Sequence, residues 1–308
     1  MPGDNCGMSA IPPASAPAPA SPLPAVGLML LAVLMFALMD AGLKTLVEHY
    51  PPLQVATLRG LASLPLVLVW VLSTVSLRSL LHVYWRLHLL RGALGVAMMF
   101  GFVYGLRSMP MSSAYSIAFV APLLVTAMAV PLLGEQVGPR RWVAIAIGLV
   151  GVLVILRPTG EGIATTGGLA VLLASICYAV GAITVRLLAQ RDSIQAMVFW
   201  FLVILSTASG VLAAPQWLPI DSSDAWTIAG VGVSGSLAQV ALTEAFRRGE
   251  ASLIAPLEYT ALVWTVSLDL LLWGVLPDSM TWLGAGIIVA SGFYLLRREK
   301  VHAPAEHP

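Results

Sequence analysis

Charge is scarce in this chain. Of 308 residues, 16 are Lys or Arg and 15 are Asp or Glu, so 10% are charged. A soluble domain carries about 25%, and so few charges leave no means of building a large solvated surface. The net charge of +1 lacks the basic excess that nucleic acid requires, so no nucleic-acid partner is expected. Cysteine is nearly absent too. Cys6 lies in a tail and Cys177 in an apolar run, a spacing that gives neither a metal site nor a disulfide framework. There is no P-loop, nucleophile elbow or metal-ligand spacing, so no catalytic residue, metal or cofactor is expected. The N-terminus also lacks the Lys/Arg cluster of a cleaved secretory leader.

Apolar residues fill the space left by charge. They make up 58% of the chain, and the mean hydropathy is +0.90. This places the protein in the membrane class, with the lipid bilayer as a partner. Prolines at 2, 12, 13, 17, 19, 22 and 24 exclude a helix over the first residues. Residues 1–23 therefore read as a disordered cytoplasmic tail, and 301–308 as a second tail.

A crossing helix needs about 20 apolar residues. The hydropathy predicts an all-α membrane protein with ten spans, near 24–47, 52–74, 89–107, 110–133, 141–156, 168–189, 194–214, 225–247, 250–273 and 280–297. Residues 75–88, with Arg78, His82, Arg86 and His88, read as an interfacial stretch. With the N-terminus inside, twelve Lys/Arg fall on the cytoplasmic side. They are Arg78, Arg86, Arg91, Arg140, Arg141, Arg186, Arg191, Arg247, Arg248, Arg297, Arg298 and Lys300. Only Lys44, Arg107 and Arg157 fall opposite. The bias predicts cytoplasmic termini in a bacterial inner membrane.

The chain also resembles itself at a shift of 140. Arg107 matches Arg247, Ser112 matches Ser252, Ala121 matches Ala261, Gly134 matches Gly274 and Trp142 matches Trp282. Near the starts of the halves the shift drifts, pairing Gln54 with Gln195 and Lys44 with Arg186. The co-linear order indicates duplication. Five spans per half is an odd number, so the second half enters the membrane upside down. Two inverted five-helix repeats follow, over 24–157 and 158–300, with a site at the midplane between them.

Three stretches carry a family resemblance. The first is Met39-Asp40-Ala41-Gly42-Leu43-Lys44 with Tyr50-Pro51-Pro52-Leu53-Gln54 and Leu58-Arg59-Gly60. The second runs from Leu132 to Trp142 through Gly134-Glu135, and the third from Ile147 to Pro158. The chain resembles the EamA family of the drug/metabolite transporter superfamily over residues 24–300. In the second half the Gly-Glu step has become Gly274-Val275. The Asp-Lys-Gln-Arg set is most similar to a subgroup of S-adenosylmethionine, riboflavin and metallophore carriers. The resemblance implies a ten-helix inverted-repeat fold with a central cavity. The expected function is secondary transport of small polar metabolites: S-adenosylmethionine, riboflavin or an amino-acid-like compound. A membrane-embedded enzyme and a channel are the alternatives, and monomer and homodimer both stay open.

Charge in hydrocarbon costs at least ~2.5–3.5 kcal/mol per residue at mid-helix, so the buried charges are the first site candidates. Asp40 and Lys44 lie one turn apart in the first span, and Arg59 lies at similar depth in the second. They read either as a cavity lining, with Arg59 facing an anionic group, or as a structural ion pair with Lys44 snorkelling. Glu244 and Glu258 fall in the other half of the membrane. Each is a candidate for proton coupling, because burial favours a protonated carboxyl, or for a plain interhelical bond, or, for Glu244, for pairing with nearby Arg247 or Arg248. Tyr104, Ser113, Tyr115, Tyr259 and Trp264 could line a site for a ring-bearing substrate, or could serve packing and interfacial belts. Pro122 and Pro256 predict bends. Gly230-Val231-Gly232-Val233-Ser234-Gly235 spells GxGxxG inside a span, where close helix packing explains it, as it does Gly101 and Gly105.

Overall fold

The computed structural model describes residues 23–75, 80–109, 111–135, 138–156, 166–274, 279–280, 282–284, 286–287 and 290–291. The expected tails, apart from Leu23, and most of the expected tenth span lie outside the described residues. The secondary structure of the described residues is all helical, with turns and short loops between the helices and no strand. The helices are α1 (Leu23–Val47), α2 (Pro52–Thr74), α3 (Trp85–Ser108), α4 (Met111–Ala118), α5 (Val120–Leu133), α6 (Pro139–Leu156), α7 (Thr166–Leu188), α8 (Ile194–Ala213), α9 (Ala225–Arg248), α10 (Ala251–Ile254) and α11 (Ala261–Trp273). A 3-10 segment, Ala255–Thr260, joins α10 to α11.

Local chemistry sets the ends. Pro52 opens α2, where its missing N–H costs nothing and its fixed φ suits the first turn. The Ser193 hydroxyl caps α8 by accepting from Ala196 N at 3.3 Å. Gly134 and Gly274 close α5 and α11 in the left-handed conformation, with φ of 69° and 66°. Each donates its backbone N–H to two carbonyls of the last turn. Seven helices among the described residues are long and apolar enough to cross a membrane. The expected fourth span is instead broken at Phe119 into α4 and α5, and Pro256 sits in the 3-10 segment of the ninth. The stretch expected at the interface is shorter than 75–88, since α3 already begins at Trp85.

The main helix pairs join the two halves of the chain: α1 packs on α9, α3 on α7, and α2 on α8. Small residues allow these approaches. A Cβ on Gly101 would lie 2.5 Å from the Ala170 carbonyl oxygen, and one on Gly232 would lie 2.6 Å from that of Ala62. Both glycine motifs are thus contact faces between helices. Large apolar side chains such as Leu72, Val211 and Leu271 point outward, as does Trp226. That surface suits hydrocarbon, with backbone polar groups satisfied within each helix.

Gly101→Ala should lower the thermal unfolding temperature in detergent, by overpacking against backbone at a cost of about 1–3 kcal/mol. Gly27→Ala, with nothing within 4 Å of the new Cβ, should leave it unchanged or raise it. Equal behaviour of the two variants would contradict the close α3–α7 approach.

Candidate functional site

A cavity of about 180 Å3 lies among α1, α2, α3, α4, α5, α7, α8, α9 and the 3-10 segment. Both halves of the chain line it. Its wall is mostly apolar, with the rings of Phe36, Phe102, Phe119 and Phe201 and the thioethers of Met29, Met39, Met98 and Met99. Into this wall project Asp40, Arg59, Arg91, Tyr115, Tyr178, Gln239 and Glu258. A few polar groups on an apolar, ring-bearing surface is the usual make-up of a small-molecule site.

Two carboxylates are each held by a tyrosine from another helix. Tyr115 donates to Asp40 Oδ2 at 2.5 Å, joining α4 to α1. Tyr178 donates to Glu258 Oε1 at 2.8 Å, joining α7 to the 3-10 segment. Asp40 also feels the Arg59 charge through space, whereas no cation among the described residues contacts Glu258.

Arg59 is 1% exposed, and its guanidinium is poorly satisfied. Nε donates to the Met39 sulfur at 3.0 Å, a weak acceptor. Nη1 is buried with no hydrogen-bond partner among the described residues. The Phe36 ring lies 6.0 Å from its central carbon, close enough for a cation–π contribution. Arg59 is among the residues lining the cavity, and a buried guanidinium nitrogen without an acceptor is a donor still to be satisfied.

The structure brings Asp40, Arg59, Tyr115 and Glu258 together at this cavity and sends other candidates elsewhere. Lys44 leaves the expected cluster. Its Nζ lies 3.5 Å from Asp269 Oδ1 and 4.3 Å from the Trp273 ring centroid. Glu244 is paired with Arg247, at 2.5 Å, and with Arg248. Tyr104 is exposed and stacks near Phe100 at 6.0 Å, and Trp264 is exposed as well. Tyr259 is buried behind the wall, with its ring 5.3 Å from that of Phe119. The side chain of Ser113 lies outside the described residues.

Arg91, Tyr178 and Gln239 were missed. Arg91 is not a loop charge as expected. It is buried in α3, where it donates to the Met197 carbonyl at 2.9 Å and to Thr243 Oγ1 at 3.3 Å, over the Phe201 ring. Its sequence signal was that the apolar pattern continues on its N-terminal side through Trp85 and Leu87. Tyr178 and Gln239 carry no charge and gave no comparable signal.

Comparison with known proteins adds the family. The pattern of the EamA-like transporter family matches residues 23–157 and again 165–297. A riboflavin transporter of Rhizobium johnstonii is 31% identical over 220 residues, covering 71% of this chain and 72% of that one. An S-adenosylmethionine uptake transporter of Rickettsia conorii is 30% identical over 220 residues, covering 71% and 74%. A solved crystal structure of a protein superposes with a TM-score of 0.74 at 20% identity, covering 91% of this chain and 99% of that one. That likeness concerns the fold.

Tyr115→Phe and Tyr178→Phe each strip a donor from a buried carboxyl. Each should cost about 1–3 kcal/mol in thermal unfolding. Tyr104→Phe, at an exposed position, should stay within about 0.5 kcal/mol of the parent. A neutral result for both cavity tyrosines would show that their bonds hold nothing in place.

Proposed function

Because the chain belongs to the EamA-like transporter family, we propose that it is a secondary carrier moving a small polar metabolite across the bacterial inner membrane by alternating access. The observation that carries this reading is buried Arg59, whose Nη1 has no hydrogen-bond partner among the described residues, in the lining of a cavity shared by both halves. A buried charge of that kind is costly unless a ligand completes it.

In this reading the chain has ten spans in two inverted repeats, 24–157 and 158–300, with both termini cytoplasmic. The double match of the family pattern supports the repeat. So do the cross-half pairs α1–α9 and α3–α7 and the matching left-handed caps at Gly134 and Gly274. Removing Arg91 from the loop charges leaves eleven against three, a bias that still supports this orientation.

Arg59 donates to an acceptor oxygen of the substrate, a carboxylate in S-adenosylmethionine or a ring carbonyl in riboflavin, and the aromatic wall takes a planar ring. The named substrates of the two relatives, S-adenosylmethionine and riboflavin, both carry a planar nitrogen heterocycle on a polar chain. Glu258 is the coupling group. It has a tyrosine donor but no cation among the described residues, so it can hold a proton in one half of the cycle and release it in the other. Asp40 stays with Arg59 and Tyr115.

Purified protein should be stabilised by one of these two metabolites, by mass action, and proteoliposomes should exchange that metabolite in counterflow. Absence of stabilisation and of exchange for both compounds would remove the substrate reading.

Arg59→Lys keeps the charge but loses the planar fork. Expression and unfolding temperature should hold while uptake drops about 10-fold or more, as loss of a charge-assisted bond entails. Normal uptake would reduce Arg59 to a structural cation.

Glu258→Gln should keep ligand binding and counterflow while abolishing uphill transport driven by a pH gradient. Intact proton-driven uptake would exclude Glu258 as the coupling group. Loss of binding would make it a substrate contact instead.

A further inference from the structure

Among the ion pairs of the described residues that lie outside the cavity, two stand towards opposite ends of the bundle and join different halves of the chain. At one end Arg186, in the last turn of α7, lies 3.5 Å from Glu135, the residue after the Gly134 cap of α5. The same Glu135 oxygen accepts from the backbone N–H of Ala251, which opens α10, at 2.9 Å. Arg186 also donates to the Phe246 carbonyl near the end of α9, at 3.2 Å. One carboxylate and one guanidinium thus tie together α5, α7, α9 and α10.

At the other end Lys44, in the last turn of α1, lies 3.5 Å from Asp269 of α11 and over the Trp273 ring. The two pairs are related through the sequence repeat. Lys44 corresponds to Arg186, and the Gly134 cap corresponds to Gly274. The second half has Val275 where Glu135 would recur, and Asp269 supplies the acid from inside the helix. In each pair the cation comes from the first helix of one half. The anion comes from the broken fourth span of the other half.

Each pair also sits on an element that carries a cavity carboxyl. Lys44 is one turn beyond Asp40 on α1. Ala251 begins the α10 and 3-10 stretch that holds Glu258. All four side chains are largely shielded, at 16% and 4% exposure in the Lys44–Asp269 pair and 24% and 6% in the Arg186–Glu135 pair. Water therefore screens them less than a surface pair. Both separations of 3.5 Å are long for a charge-assisted bond, as suits a contact that must part in every cycle.

We propose that Arg186–Glu135 and Lys44–Asp269 are two gates of opposite sense. The first closes the cavity towards the cytoplasm and the second closes it towards the other side. Opening one requires the other to stay formed, because both grip the same two halves across the cavity. The gates rest on the carrier reading of the fold but assign to Lys44, Glu135, Arg186 and Asp269 a role apart from substrate contact.

The test uses the full chain in membrane vesicles of both orientations. Cys6→Ser and Cys177→Ser remove the native thiols, and Gly181→Cys places a reporter. Gly181 lines the cavity, and a Cβ there meets nothing within 4 Å. A membrane-impermeant methanethiosulfonate then reports access from each side without any substrate. Glu135→Gln should raise labelling from the cytoplasmic side and lower it from the other by about fivefold, the population shift that a partly shielded ion pair supplies. Asp269→Asn should do the reverse. The double exchanges Glu135→Arg with Arg186→Glu, and Lys44→Asp with Asp269→Lys, should restore the parental ratio. They also serve where a single variant folds poorly.

Shifts in the same direction for both neutralised variants, or an unchanged ratio in both, would overturn the gates. A carrier that fails to exchange either metabolite but shows the opposed labelling shifts would keep the gates and lose only the substrate reading.

Discussion

Charge placed in hydrocarbon must be answered, and the internal architecture of this protein follows from how each buried charge finds its answer. Arg91 is answered in full, by two oxygens and a ring face. Glu244 is answered by two arginines at a helix end. Asp40 has a tyrosine hydroxyl and a distant guanidinium. Arg59 alone among these keeps a buried nitrogen without a partner among the described residues. That gradation separates charges satisfied within the bundle from the one that is not. The distinction matters because a satisfied buried ion adds little net stability, whereas an unsatisfied one is a standing cost.

The same constraint shapes the helices around the site. The fourth and ninth spans are broken, at Phe119 and through the 3-10 segment Ala255–Thr260. Non-helical backbone at membrane depth survives only where protein or a cavity surrounds it. Here the breaks border the cavity and carry Phe119 and Glu258 into its wall. Close glycine-mediated packing of α1 on α9 and α3 on α7 then fixes the frame against which those segments sit. The frame is thus made of pairs that cross between the halves, with the irregular segments set between them at the cavity.

One end of the bundle is held by polar contacts between the halves as well. Tyr50 donates to Asp224 at 2.7 Å, and Gln54 both donates to and accepts from the backbone of Leu218, at 2.7 and 2.9 Å. Asp221 accepts from the Ser223 backbone and hydroxyl, which holds its carboxyl below the usual range. At the opposite face His88 and the Tyr84 N–H meet Asp192 at 2.9 and 3.1 Å. The Tyr50, Gln54, Tyr84 and His88 contacts join the first half to the second at both ends of the bundle.

Composition and spacing determined much of this by themselves. Scarce charge and long apolar runs dictated helices in a bilayer, since only helices or closed barrels satisfy every backbone group there. Depth was legible too, because a helix rises a fixed 1.5 Å per residue, so Asp40, Arg59 and Glu258 could be placed inside the membrane from their positions alone. Direction was not legible. A helix apolar on every side gives no stripe to mark its inner face, so Tyr104 and Tyr115 looked alike, yet one is exposed and the other reaches Asp40. Nor could spacing show that Lys44 belongs with Asp269, 225 positions away, rather than with Asp40 on its own helix. Azimuth and long-range partners are set by which helices pack together, and in this chain that packing was decided by contacts between halves that no local pattern encodes.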